Sequence, residues 1–339
     1  MCGAKSVLNA NVAVVADVFV SVWMITYNHE CYIRRAIESV LEQQTNFDFE
    51  IVIGDDFSVD NTRNILLEYR MLYPEKIRLL LHPTNLGMIA NQNITFQSCR
   101  GKYIAMLEGD DYWVDKMKLQ IQTDAMKMYP NCRLSFHPAI GEPNGRTLSR
   151  YSNRNELVAV KNFILGGGYF CPTPSLMLDR SVVTNIPSFL DDAPAGDYYL
   201  QILGAAEGGG GLFINRVMCA YRINTVGSWS ESVKSFHNKQ LFRIRTIDAL
   251  VLMRDYLPDY IVHFDRKIFD LYLLLAFDYL IHGEREKFSE YYSVARRVKS
   301  NITLNYVVVT FLHRTPWFLK IIYGFVKFSR AFYRRIVVG

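Results

Sequence analysis

An α/β fold with a mostly parallel central sheet, followed by a helical region, is what this sequence predicts. Short apolar runs at residues 19–26, 49–53, 77–81 and 103–107 alternate with stretches whose apolar residues recur at helical spacing. Such alternation means strands paired in parallel through right-handed crossovers. Two of the runs end in acids, Asp55-Asp56 and Glu108-Gly109-Asp110-Asp111. In a sheet of this kind the carboxyl ends of the strands are where ligands bind. The strand signals stop near residue 235, and only helical periodicity follows. With 339 residues, half of them hydrophobic, the chain can hold one large domain and an appendage.

Residues 19–26, dense in Val, Ile and aromatics, read as a first buried strand, which leaves 1–17 as a short leader. The leader lacks a weighty basic region and Asp17 interrupts its apolar stretch, so a signal peptide is not expected. The loop Tyr27-Asn28-His29-Glu30 leads into a helix marked by Ile33, Ala36, Ile37, Val40 and Leu41. A second strand, 49–53, runs into Gly54-Asp55-Asp56, and Ser58 is placed to cap a helix with Ile65, Leu66 and Tyr69 on its apolar face. A third strand, 77–81, gives way to a loop at His82-Pro83-Thr84-Asn85-Leu86-Gly87. A helix around 91–98 precedes the fourth strand and its acids. Beyond Phe136 the pattern loosens, and 141–154, rich in Asn, Gly and Arg, reads as an exposed loop. Cys171-Pro172-Thr173-Pro174-Ser175 turns into a short strand at 176–178, and Asp197 opens a helix that closes at Gly208. Helices are expected over 241–256, 265–281 and 284–299, and a last one from Thr315-Pro316.

Two acid-tipped strand ends in one sheet bring their carboxylates to one crevice. Hard oxygen ligands there suit Mg²⁺ or Mn²⁺, which bind a few carboxylates together with substrate phosphates. Acids serving a helix dipole are the plainer alternative for any single pair. No G-x-G-x-x-G follows the first strand and no G-x-x-x-x-G-K-[ST] occurs, which argues against a dehydrogenase and against a P-loop enzyme. The six cysteines show no C-x-x-C and the seven histidines no metal-ligand pairing, so zinc is not expected and reduced, cytosolic cysteines are.

Thr26-Tyr27-Asn28, the run Ile53 to Thr62, Asn85-Leu86-Gly87, and Gly101-Lys102-Tyr103-Ile104-Ala105 leading to Glu108-Gly109-Asp110-Asp111-Tyr112-Trp113 together resemble the family 2 glycosyltransferases of GT-A fold. The resemblance is close over 18–140 and looser to about 230. It implies an inverting enzyme using a nucleotide sugar, mostly UDP-linked, with a divalent metal. It also implies a GT-A domain over 18–230. By the same resemblance Thr26, Tyr27, Asn28, Asp56, Asn85, Gly87 and Asp110 bind the nucleotide, Tyr27 against the uracil and Asp56 accepting from its N3–H. Asp110 and Asp111, with Glu108 where many relatives carry Asp, hold the metal and the diphosphate. Asp197 matches the catalytic base, with Gly196 in place of the usual preceding Glu. Arg222 and Trp229 fall in the segment that covers the diphosphate and acceptor, where Asn224 replaces a His. No Arg or Lys follows the Asn-x-Gly turn, which leaves diphosphate charge to the metal.

Residues 231–299 form a helical appendage in this reading, and 300–339 a basic amphipathic tail. Nine basic residues and no acidic ones follow Glu290, so the rest of the chain has 29 basic residues against 33 acidic. That asymmetry points to an anionic surface as partner. Trp317 to Arg335 would span ~28 Å as a helix, yet Lys320, Lys327 and Arg330 lie within it. Charges at mid-bilayer cost ~2.5–3.5 kcal/mol each, which favours lying in the interface of the cytoplasmic leaflet over spanning. Packing on the appendage or on a second copy of the chain, giving a homo-oligomer, is the competing reading of the tail. The partners expected are thus a nucleotide-sugar donor, a glycan or lipid-linked acceptor and an anionic membrane surface, with no nucleic acid. Two other activities stay open on the residues: a nucleotidyltransferase, which would want a Gly-rich basic stretch after the first strand, and a non-catalytic nucleotide-sugar-binding protein.

Overall fold

The computed structural model describes residues 18–223, 225 and 235–298. The leader, Asn224, the segment containing Trp229 and the basic tail lie outside them. The first half follows the expected alternation: β1 (Val20–Thr26), α1 (Ile33–Leu41), β2 (Phe49–Asp55), α2 (Thr62–Leu72), β3 (Ile77–Leu81), α3 (Met88–Ser98) and β4 (Tyr103–Met106). β1 and β2 are buried at every position, as continuous apolar strands covered on both faces must be. Ser58 does not cap α2. Asn61 stands at the cap position, Asp60 Oδ1 accepts from the Thr62 N–H at 3.0 Å, and the Ser58 hydroxyl accepts from the Asn28 N–H at 2.9 Å.

The second half is more strand-rich than its sequence predicts. It comprises β5 (Tyr112–Trp113), α4 (Lys118–Met128), β6 (Leu134–Phe136), β7 (Ala139–Glu142), β8 (Arg146–Leu148), β9 (Glu156–Val158), α5 (Val160–Gly166), β10 (Met177–Asp179), α6 (Arg180–Thr184), α7 (Gly196–Glu207), β11 (Gly211–Phe213) and β12 (Cys219–Arg222). The stretch 141–154, expected as a loop, is thus partly the hairpin of β7 and β8, registered Ala139 to Leu148. α8 (Phe236–Tyr256), α9 (Ile261–Ile281) and α10 (Arg285–Arg297) follow.

Eight strands form the main sheet in the order β3-β2-β1-β4-β10-β6-β11-β9. β3, β2, β1 and β4 are mutually parallel, while β10 and β9 run against their neighbours. A second sheet, β5-β12-β7-β8, stands beside the carboxyl end of β4. Ile247, Leu250 and Met253 of α8 and Phe264, Ile268 and Leu275 of α9 belong to the same buried cluster as Leu134, Phe136 and Ile202. The C-terminal helices therefore share a core with the far half of the sheet. This is an α/β GT-A-like architecture with helices in its C-terminal region. Among the described residues no helix is long and apolar enough to cross a membrane.

Candidate active site

β1, β2 and β4 end side by side, and three loops leave from that edge. Thr26 pairs with Asp55, and the chain after β4 stays alongside β1, with the Leu107 and Gly109 N–H groups donating to the Trp23 and Ile25 carbonyls at 3.0 and 2.9 Å. This register lifts Glu108, Asp110 and Asp111 to the sheet edge. Gly109 is required there: a Cβ would sit 2.7 Å from Thr26 Oγ1 and 2.9 Å from His29 Nδ1.

One oxygen from each of Glu108, Asp110 and Asp111 lies within 4.8 Å of the others. Asp111 is buried. Its Oδ1 accepts from the Arg222 N–H at 2.7 Å, whereas its Oδ2 has no hydrogen-bond partner among the described residues. Burial first, then the charges of Asp110 and Glu108, pushes its pKa well above the carboxylate range. Glu108 is pushed up likewise, by burial and then by Asp110 and Asp197. An orphaned buried carboxylate oxygen facing two further acids is costly without a cation. Three hard oxygen donors fit Mg²⁺ or Mn²⁺.

Asp197 lies in the first turn of α7. The Thr173 hydroxyl donates to its Oδ2 at 3.2 Å, and burial pushes its pKa up to about 6. Thr173 also borders Glu108, so it stands between the acid cluster and Asp197. A Cβ at Gly196 would come within 2.2 Å of the Gln92 side-chain amide, the flexible end of a buried side chain that would have to shift to admit it.

The remaining expected residues divide into two groups. Tyr27 is 41% exposed beside Asn28, whose φ is +55° and whose Oδ1 accepts from the Val59 N–H at 2.9 Å. Asp56 is buried and ties the next loop down: its carboxylate accepts from the Leu86 and Gly87 N–H groups at 2.6 and 3.0 Å. The Asn85 side chain donates to the Asp56 carbonyl at 3.1 Å. These residues form one interlocked rim beyond β1 and β2. Arg222 lies on the opposite side, its guanidinium between the rings of Tyr32 and Tyr112 at 5.1 and 4.7 Å. It pairs with Glu142 at 3.3 Å and donates to the Asp110 carbonyl, bracing the acid loop. Trp229 lies outside the described residues.

Four further residues enter the site without having been singled out. Thr225 donates to Asp110 Oδ2 at 2.7 Å. Tyr221 is close enough to Glu108, Asp111, Asp197 and Asp110 for all four to raise its pKa, after burial. His29, its pKa lowered by burial, lies near Asp110. Thr173 is the fourth. Tyr221 adjoins Arg222, which the sequence resemblance had flagged; the others arrive through folding.

Residues 21–185 match the family model described as Glycosyl transferase family 2. An uncharacterized protein of Mycobacterium tuberculosis, Rv1520, is 35% identical over 221 residues, 62% of this chain and 60% of that protein. The chain therefore spans about 60% of the length of the first curated relatives it matches. The Escherichia coli protein WfgD, named UDP-Glc:alpha-D-GlcNAc-diphosphoundecaprenol beta-1,3-glucosyltransferase, is 37% identical over 106 residues, 31% of this chain and 40% of that protein. Among solved structures, S. aureus TarS in complex with UDP-GlcNAc superposes with a TM-score of 0.56 at 16% identity, covering 88% of this chain and 92% of its own. At that identity the likeness concerns the fold.

Proposed function

With residues 21–185 forming a glycosyl transferase family 2 domain, we propose that the chain is an inverting glycosyltransferase. It moves a sugar from a UDP-linked donor to a hydroxyl of a glycan or lipid-linked glycan. The observation that carries this is the pairing of an acid cluster at the sheet edge with a separate carboxylate, Asp197, across Thr173. A single displacement needs those two kinds of group in one cleft and needs no covalent intermediate.

The chain's own residues divide the work. The rim of Tyr27, Asn28, Asp56, Asn85 and Gly87 receives the nucleoside, Tyr27 offering its exposed ring to the base. Glu108, Asp110 and Asp111 would hold a divalent metal, which supplies charge neutralisation for the departing diphosphate. Asp197 takes the proton of the acceptor hydroxyl as that oxygen bonds to the sugar C1 and the C1–diphosphate bond breaks. A base with a pKa near 6 is ionised at neutral pH and still basic enough to accept a proton in the transition state. Arg222 and Thr225 hold the acid loop in place from the far side. WfgD, by its name, uses a UDP-sugar and a lipid-diphosphate-linked acceptor, which supports the same classes here.

In the same reading the basic tail, 300–339, rests on an anionic membrane surface where such an acceptor is met. Each Lys or Arg near an anionic leaflet contributes ~1 kcal/mol. The test of the activity is UDP release from UDP-glucose, UDP-N-acetylglucosamine and UDP-galactose with Mn²⁺, with and without EDTA. Turnover abolished by EDTA is expected. UDP binding without any turnover would instead favour the non-catalytic binding protein.

A further inference from the structure

Along the carboxyl edge of the main sheet, past the acids, lies an open cleft of about 410 Å³ lined by Ser149, Arg150, Tyr151, Gly166, Tyr169 and Phe170. Its place in the fold follows from the sheet register. Met177 of β10 faces Ala105 of β4 on one side and Ser135 of β6 on the other, so Phe136 is level with Met106, and Phe213 pairs with Phe136. Phe136 and Phe213 thus end their strands at the same edge as Glu108. The cleft is built on them: Phe170 packs on Phe136 at 5.6 Å, and Tyr151 packs on Phe170 and Phe213 at 5.8 and 5.9 Å. From β4 to β6 is two strand spacings, roughly 10 Å, and to β11 three, roughly 14 Å. Phe170 is also only three residues before Thr173, the residue that donates to Asp197.

The chemistry of the lining is selective. Tyr169 is 81% exposed and Tyr151 41% exposed, although their neighbours Phe163 and Cys171 are fully buried. Two rings held open beside a cleft form an amphipathic platform, apolar on the faces and hydroxylated at the tips. Tyr169 differs from other exposed apolar side chains in lying beside a second open ring, Tyr151, at the mouth of one cleft. The loop is held in this shape: Ser149 has φ +56° and donates its hydroxyl to the Tyr169 carbonyl at 3.1 Å. Asn162 donates to the Tyr151 hydroxyl at 3.1 Å, which fixes that ring. Arg150 adds five N–H donors with no ion pair among the described residues. Flat apolar ring faces, hydroxyl tips and guanidinium donors match a pyranose, which has an apolar face of C–H groups and a rim of hydroxyls.

We propose that this cleft is a remote acceptor subsite that holds a saccharide unit of the growing glycan, stacked on Tyr169 and Tyr151, while the terminal hydroxyl lies at Asp197. The inference rests on the glycosyltransferase reading and adds to it. A saccharide unit held there while another presents its hydroxyl at Asp197 makes the acceptor an oligosaccharide.

The experiment titrates the full chain, with UDP and Mn²⁺ present, against glucose, galactose and N-acetylglucosamine and their di-, tri- and tetrasaccharides, by saturation-transfer NMR. Affinity in at least one series should rise by about tenfold between one and three units, the order expected of burying one aromatic contact. Tyr169→Ala should remove that rise, Tyr169→Phe should keep it, and UDP affinity should be the same in all three proteins. Because Tyr169 is exposed, its truncation leaves the core intact. Affinity that ignores chain length, a Tyr169→Ala variant that binds trisaccharides as the parent does, or no saccharide binding by a protein that still binds UDP would each overturn the subsite. Loss of UDP binding by the unaltered chain would overturn the glycosyltransferase reading itself.

Discussion

Replacing Asp197 by Asn should slow transfer and at the same time stabilise the fold at neutral pH. The side chain keeps its size but cannot accept a proton, so turnover should fall ~10²–10⁴-fold with UDP-sugar affinity nearly unchanged. The stability change follows from the same carboxyl. Burial raises its pKa from 3.8 to about 6, so between those values the folded protein carries a proton that the unfolded chain has lost. Stability contributed by this group therefore falls as pH rises through the window, and the penalty is complete above pH 6. A shift of about two units corresponds to ~3 kcal/mol at most, and residual solvent contact reduces it. Urea unfolding of both proteins at pH 4 and pH 7.5 reads this directly: Asn should gain over Asp at pH 7.5 and gain little at pH 4. UDP release by the parent should rise with pH as Asp197 loses its proton, and the variant's residual rate should lack that rise. A variant that keeps the parent's rate and pH profile would show that Asp197 is not the base, and one less stable at pH 7.5 would show that burial does not strain it.

Asp111→Asn should abolish Mn²⁺-dependent UDP release. It should also cancel the rise in melting temperature that Mn²⁺ gives the parent, since an ion that binds only the folded state stabilises it; equal Mn²⁺ shifts in both proteins would refute the metal assignment. Gly196→Ala should cost about 1 kcal/mol at most, the low end of overpacking, because only the flexible amide end of Gln92 has to shift; a loss of several kcal/mol in urea unfolding would show that the Gln92 amide cannot move. Truncation to residues 1–299 should release the protein from anionic vesicles in co-sedimentation while the full chain pellets with them. If both stay in the supernatant, the tail serves packing or oligomerisation.

The parallel half of the sheet was legible because its signals are local. β1, β2 and β4 lie in mostly apolar runs of five to eight residues, 19–26, 49–53 and 103–107, bounded by loop signals, and acids follow the second and third of these within two residues. Asp110, Asp111, Glu108 and Asp197 could therefore be named from sequence, and the resemblance to family 2 glycosyltransferases supplied their expected roles. The short strands β5, β7, β8, β9, β11 and β12 have no such signal. At two to four residues they carry no readable period, and only pairing with distant partners makes them strands; β12, for example, joins β5 and β7 from far along the chain. Tertiary structure alone decided that Thr173 stands between Glu108 and Asp197, that Asp111 keeps one buried oxygen without a partner among the described residues, and that the Gln92 amide lies against Gly196. It also decided that Tyr169 remains in solvent beside a cleft. Each of these depends on which distant atoms arrive within a few ångströms, and the order of residues along the chain does not encode that distance.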